Sequence, residues 1–250
     1  MTKITLHRQS EFRSPRRIGL QCVLLAALAI VAIVVRSSPA DEPVRVRGVV
    51  RFNGMVPKAK TADEAGRIHD LHPKTCGLRD AVVYWIDAPA EPLPNDAKEL
   101  PIVVVDQKDF TFLPHVVSVR SGQPVKFTNS DSASHNVRTS AFEPKNQFNV
   151  FTGAGNEYVH RFVVDKKQRP TRLGCDIHAW MGGWIYTFDH SHHAMTDAEG
   201  RFELPTLPAG PQRLAIRQPD GNLRRDITVE VIAGMTTTLE VGFRDTDLIR

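Results

Sequence analysis

Cys175, His178 and Met181 place a thiol, an imidazole and a thioether within seven residues, at a C-x2-H-x2-M spacing in Leu173-Gly-Cys-Asp-Ile-His-Ala-Trp-Met-Gly-Gly183. A trigonal Cys/His/His set with a long, weak axial Met is the donor pattern of a blue-copper electron-transfer centre. Three of the four donors are present, so a second histidine must arrive from elsewhere. Ser134-His135-Asn136-Val137, forty residues upstream of the cysteine, offers the best candidate. Two other readings of the same residues stay open. At i, i+3 and i+6 the three side chains could form one face of a core helix, although Gly174, Gly182 and Gly183 each disfavour a helix by about 1 kcal/mol. Cys175 could instead pair with Cys76, since one disulfide is the ordinary outcome for two cysteines in an exported chain. Metal-ligand spacing around Cys175, which a disulfide does not require, argues for the ligand. With one cysteine in the loop, a two-cysteine dinuclear copper centre is excluded.

The remaining histidines are weaker candidates. His115, in Leu113-Pro-His115, stands near a strand start and could approach the site, or be a partly buried side chain. His190-Ser-His192-His193 is a short tract that could hold a second, labile copper or zinc, or be an exposed polar loop. His69, His72 and Cys76 include zinc-binding types, but not at finger or ribbon spacing. No nucleophile triad, phosphate loop or paired-carboxylate arrangement is apparent, so an enzyme is not expected.

The elements that must position these side chains read as strands. Val44, Val46 and Val49-Val50 alternate, and Asn53-Gly54 predicts a hairpin turn. Ala81 to Ile86 is a short apolar run of buried-strand type, and Ala88-Pro-Ala-Glu-Pro-Leu-Pro94 breaks regular structure as a linker. Ile102 to Val105 and Tyr158 to Val164 are further strands. Val117 and Val119, Ser121-Gly122, then Val125 and Phe127 predict two strands about a tight turn. Helical periodicity is missing after residue 40, so an all-β sandwich is expected.

From Phe110 to Phe188 the chain resembles a cupredoxin, and its ligand loop is similar to that of the amicyanins. The family pattern is a hairpin, a His-Asn pair at a strand end, and the ligand loop before the last strand. Val116 to Asn129, His135-Asn136, and Cys175 to Met181 followed by Trp184-Ile-Tyr-Thr-Phe188 stand in those places. The resemblance implies a Greek-key β-sandwich and one copper ion held by His135, Cys175, His178 and Met181. It also implies that Asn136 ties the His135 segment to the loop, and that His178 is the port for electrons. Ala179 departs from the proline that often follows the loop histidine. Trp180 and Trp184 flank Met181 and serve either as core packing or as a shield and docking surface for the copper.

Thr196-Asp-Ala-Glu-Gly-Arg-Phe-Glu-Leu204 and Leu207-Pro-Ala-Gly210 resemble the second half of a carboxypeptidase-regulatory-like (transthyretin-like) β-sandwich module. Arg47-Gly-Val-Val-Arg-Phe-Asn-Gly54 and Val82-Val83-Tyr84 look like its first half. The expected organisation is a cupredoxin domain at 98–189 inserted into a module split between 41–92 and 190–250. Three units in series is the alternative, but a lone N-terminal hairpin is marginally stable. The combination resembles exported cupredoxin proteins of the methylamine-utilisation type.

Charge separates the first forty residues from the rest. They hold six basic residues and one acid, leaving 26 basic and 27 acidic residues from Asp41 onward. The excess is thus confined to the leader, which gives nucleic-acid binding no footprint. A basic start through Arg17, an apolar run from Val23 to Val35 and Ser38-Pro-Ala40 predict an export signal. The alternative is an N-terminal membrane tether, since residues 18–35 approach the ~20 needed to span a bilayer. Either places the bulk of the chain outside the cytoplasm, in a periplasmic or extracytoplasmic space. The expectation is a single-electron carrier with a redox partner protein the sequence does not identify. The alternatives are a copper-binding or delivery protein and an envelope interaction module.

Overall fold

A computed structural model describes residues 2–7, 45–54, 71, 74–92 and 100–248. The expected apolar leader run at 23–35, the cleavage segment at 38–40, and His69 and His72 lie outside the described residues. Among the described residues there are seventeen strands, and no helix is long and apolar enough to cross a membrane. The all-β expectation is met, with four sheets arranged as two sandwiches.

The first sheet orders Thr2–His7 (β1), Thr236–Phe243 (β17), Val46–Phe52 (β2) and Arg201–Leu204 (β14). Facing it are His193–Met195 (β13), Val82–Trp85 (β3), Gly210–Gln218 (β15) and Leu223–Val231 (β16). Val46, Val50, Phe202 and Leu239 from one sheet meet Val83, Leu214, Ile216 and Val229 from the other in a continuous core. Stretches on both sides of residues 100–190 therefore bury their apolar faces together.

The second sandwich pairs a four-stranded with a five-stranded sheet. The smaller orders Glu157–Arg161 (β10), Pro124–Asn129 (β7), Val103–Lys108 (β4) and Thr111–Leu113 (β5). The larger orders Val116–Arg120 (β6), Gly182–Phe188 (β12), Thr171–Gly174 (β11), His135–Ser140 (β8) and Asn149–Thr152 (β9). Val105, Phe112, Val125 and Phe127 from the smaller sheet's strands pack on Val117, Val137, Leu173 and Ile185 from the larger.

The two sandwiches are joined through strands buried on both faces. Val82, Tyr84 and Ala215 pack against Val116, Tyr186 and Phe188, while Val83 and Ile185 turn into their own cores. This explains why Ala81 to Ile86 lacks a polar face. A strand covered on both sides reads as a continuous apolar run rather than an alternating one.

Two expected hairpins are corrected. β6 and β7 do not pair: β6 lies parallel to β12, while β7 lies parallel to β4 and antiparallel to β10. The Ser121-Gly122 turn carries the chain from one sheet to the facing one, so Val117, Val119, Val125 and Phe127 approach one core from opposite sides. Its amides are satisfied by neighbouring strands, Ser121 N–H donating to Phe188 O and Gly122 N–H to Phe162 O. Likewise Asn53-Gly54 does not fold β2 onto β3, which is in the facing sheet. The partners of β2 are β17, parallel, and β14, antiparallel. Period-2 patterning identifies a strand's buried face but not its neighbour, and the two turns were assigned from local signals alone.

Candidate metal centre

The ligand stretch is the connection of an antiparallel pair. Gly174 of β11 lies opposite Gly182 of β12, and Cys175 to Met181 form the loop between them. The helix-face alternative is thereby removed. Gly183 shows how closely the strand after the loop is packed, since a Cβ there would lie 3.0 Å from His115 O and 3.3 Å from Phe112 Cβ. β11 also pairs with β8, whose first residue is His135, so the sheet brings the upstream histidine beside the loop.

Three donors converge there. His135 Nδ1 and His178 Nδ1 are 2.9 Å apart, and Cys175 Sγ is 4.0 Å from each. Among the described residues this is the one group of three or more His, Cys, Asp or Glu donors close enough to share an ion. The point equidistant from the three atoms of that triangle lies about 2.1 Å from each, close to the ~2.0–2.1 Å and ~2.3 Å of metal–imidazole and metal–thiolate bonds. The donor set therefore fits a soft or borderline metal ion without rearrangement.

His135 is fully buried and Cys175 is 3% exposed, whereas His178 is half-buried. Met181 is buried in the same core cluster as Cys175, and its amide donates to His178 O to tighten the loop. Cys76 is exposed, and neither it nor Cys175 is in a disulfide, so the disulfide alternative does not hold.

The bonds behind the donors come from residues the sequence reading missed, apart from Asn136. His135 Nε2 donates to Asp131 Oδ2 at 2.8 Å, which leaves the Nδ1 lone pair facing the other donors. Asp131 also accepts from Asp109 N–H at 2.7 Å and Phe110 N–H at 3.0 Å. Burial pushes the Asp131 carboxyl up, but bonds from the Phe110 amide, His135 and the Asp109 amide outweigh it and hold it below the usual carboxylate range. Asn136 Oδ1 accepts from Asp176 N–H at 2.7 Å and from the Cys175 thiol at 3.3 Å, tying the β8 strand to the loop. Asp176 in turn is held by Asn149 Nδ2 and by Arg138 Nε at 2.7 Å. Gln107 donates to Asn136 O and accepts from Thr152, which anchors β8 to the facing sheet. Asp131, four residues before His135, was the legible member of this set; Gln107 and Thr152 meet the site only through folding.

Phe110 lies edge-on to both ligand rings, at 5.5 Å from His135 and 4.9 Å from His178. With Ile177 and Trp180, 50% and 53% exposed, it forms an apolar surface patch around His178. A separate depression of about 200 Å³ opens beside Cys175 and Met181, with Arg138 and Arg172 on its rim.

The other expected site residues lie elsewhere. His115 is held by Asp220 of the other sandwich at 3.0 Å, and Trp184 donates its indole N–H to the same carboxylate at 2.8 Å. Both therefore belong to the junction between sandwiches and not to the metal centre. His190, His192 and His193 also sit at that junction. His192 is paired with Glu91, His193 with Ser118, and among the described residues the three rings form no converging donor group.

No protein-family model matches the chain, and no curated relative does. Solved structures similar to part of it include a purple cupredoxin from Nitrosopumilus maritimus, at 20% identity over 34% of this chain and 99% of that one, with a TM-score of 0.30. A Cu-containing nitrite reductase from Thermus scotoductus SA-01 aligns at 25% identity over 41% of this chain, which spans 24% of the reductase, with a TM-score of 0.31. The oxidized P94A mutant of amicyanin aligns at 20% identity over 37% of this chain and 89% of that one, with a TM-score of 0.32.

Proposed function

We propose that the chain is an exported mononuclear blue-copper protein that carries single electrons and makes or breaks no bond in a substrate. Copper would be held by His135, Cys175 and His178, with the Met181 thioether as a weaker fourth donor. The observation that carries the reading is the 2.9, 4.0 and 4.0 Å donor triangle. A copper ion bound there supplies a one-electron couple, and thiolate with imidazole suits both of its oxidation states.

The chain's own residues would do the rest. Asp131 fixes the tautomer and orientation of His135, as outer-shell carboxylates do for metal-bound imidazoles. Asn136 and Asp176 clamp the cysteine loop onto β8, so the donors are held from two elements and move little between states. Phe110 and Trp180 keep water from the inner edge of His178 while leaving the ring half-exposed, which makes it the route for electrons.

Copper titration of the full chain, followed by visible absorption and EPR, tests this reading. An intense blue band at one equivalent with narrow copper hyperfine splitting, lost in Cys175→Ser, is the expected result. A pale spectrum with ordinary tetragonal splitting, indifferent to that substitution, would refute it. A second reading, copper delivery, is favoured by the half-buried His178 ring and by the depression that reaches toward the buried Cys175 and Met181, an approach for an incoming ligand. Release of copper to an external chelator within seconds, without redox turnover, would select it.

A further inference from the structure

A cleft of about 180 Å³ lies between the two sandwiches, walled by the loops after β10 and β15. Its lining includes Lys167, Arg169, Arg217 and Arg224 and no acidic residue. Two of these cations are neutralised from outside the cleft. Arg169 makes a bidentate pair with Asp165, at 2.7 and 3.0 Å, and Arg217 pairs with Asp226 at 2.6 Å. Lys167 and Arg224 have no carboxylate partner among the described residues, and Arg224 is turned to Asn222 Oδ1. Asp220, beside the wall, is already engaged by His115, the Trp184 indole and Gln218. Those bonds hold the Asp220 charge without cancelling it, so the four cations against Asp165, Asp226 and Asp220 leave an excess of about one positive charge, with Lys167 and Arg224 as the two cations free of a carboxylate.

Its floor is aromatic. Tyr84 and Tyr186 are 6% and 4% exposed, and Trp184 stands beside them. The buried aromatic floor beside the exposed Lys167 and Arg224 is a low-dielectric wall, which strengthens their field over that of the same charges on a flat surface. Burial raises the Tyr186 pKa well above the ordinary phenol value, so its O–H remains a donor at any physiological pH.

We propose that this cleft binds a small dianion of the phosphate or phosphomonoester type, at a site separate from the metal centre. Two cations without a carboxylate partner can each meet an oxygen of the anion: Arg224 supplies the planar fork that suits a phosphate oxygen pair, with Lys167 as the point charge. Size points the same way. At about 180 Å³ the cleft is below the ~300–1,000 Å³ of sites for drug-sized ligands. A phosphate with a short substituent fits; a nucleotide does not.

Calorimetric titration of the full chain with inorganic phosphate and with glycerol phosphate tests the assignment, with chloride at matched ionic strength as the control. Saturable one-to-one binding of either phosphate is expected, weakened at least tenfold in Lys167→Ala/Arg224→Ala and unchanged in Cys175→Ser. Both substituted side chains are exposed, so the double variant keeps the fold, checked by its unfolding midpoint. No saturable binding, binding that survives the double variant, or heats equal to those of chloride would overturn the site. Tighter binding of succinate than of either phosphate would overturn the ligand class.

Discussion

Among the described residues, His135 with His178 and His190 with His192 and His193 form two clusters of histidine side chains, and the first alone is built like a metal site. At His135 and His178 the Nδ1 atoms face each other at 2.9 Å with the cysteine sulfur 4.0 Å from both. At His190, His192 and His193 the rings pack instead of converging. His193 stacks on Phe188 at 4.6 Å, His190 sits 5.2 Å from the same ring, and His192 meets Trp85 edge-on. Their bonding capacity goes to Glu91 and Ser118, while Nδ1 of His190 and of His192 is left buried without a partner. What separates the clusters is therefore not composition or density of imidazoles. It is whether the free ring nitrogens converge: Asp131 holds His135 with Nδ1 facing His178 and Cys175, whereas the matching Glu91 bond to His192 leaves an Nδ1 that no other donor of the tract faces.

The sharpest way to break the comparison is to remove one ring from each cluster. His178→Ala should weaken copper binding by more than the ~10–100-fold that loss of an outer bond costs, and abolish the blue band. His192→Ala should leave both untouched. Copper affinity measured by competition with a chelator decides it, and equal losses would mean the tract carries the metal. Asp131→Asn comes next. The amide keeps the shape but not the charge, so affinity should fall by about 10–100-fold while stoichiometry stays at one. An unchanged affinity would remove Asp131 from the site.

The second cluster makes its own prediction through pH. Burial, together with the neighbouring His190 and Arg120 charges, pushes the His193 pKa down to about 4, with Glu91 partly offsetting and His192 adding to the shift. The folded ring thus stays neutral where the unfolded one, near 6.5, takes a proton. The unfolded state binds more protons between pH 6.5 and about 4, so stability is present above that window and lost on falling through it. The loss assignable to this ring is on the order of 2 kcal/mol. Urea unfolding at pH 7 and pH 4.5 should show it in the native protein and not in His193→Asn. His115 has the opposite sign. Burial lowers its pKa, but the bond and charge of Asp220 outweigh that and raise it above the ordinary value. Its contribution is full below pH 6.5 and fades as pH rises through the raised value.

These contrasts mark where the sequence was informative. Cys175, His178 and Met181 stand in one loop, so their chemistry was legible from spacing alone, and His135 was found by asking what that loop lacked. Val83 was legible as core because the apolar run Ala81 to Ile86 is a local signal. The turns at Ser121-Gly122 and Asn53-Gly54 misled because strand partnership is set across the whole sandwich: β6 pairs with β12, more than sixty residues on. His115 was drawn toward the metal as a histidine near a strand start, and Trp184 by its nearness to Met181, whereas Asp220, from the far sandwich, holds both. Gln107 and Thr152 brace the site from strands whose sequence gives no hint of it.

The smallest effect expected at the metal centre concerns its surface and not its ligands. Trp180 is 53% exposed, 5.3 Å from His178 and 6.4 Å from Phe110, so it touches the metal's surroundings without holding them. Trp180→Ala should change unfolding stability by no more than about 0.5 kcal/mol, the usual range for an exposed position. The copper spectrum should not move. If electrons pass through the His178 edge, two copies of the chain must meet there during self-exchange, and an interface aromatic truncated to alanine costs about 1 kcal/mol of that encounter. Self-exchange measured by NMR line broadening should then slow about fivefold, a factor of that free energy. An unchanged rate with an unchanged spectrum would move the port away from the Phe110–Trp180 patch, toward the open face beside Cys175 and Met181.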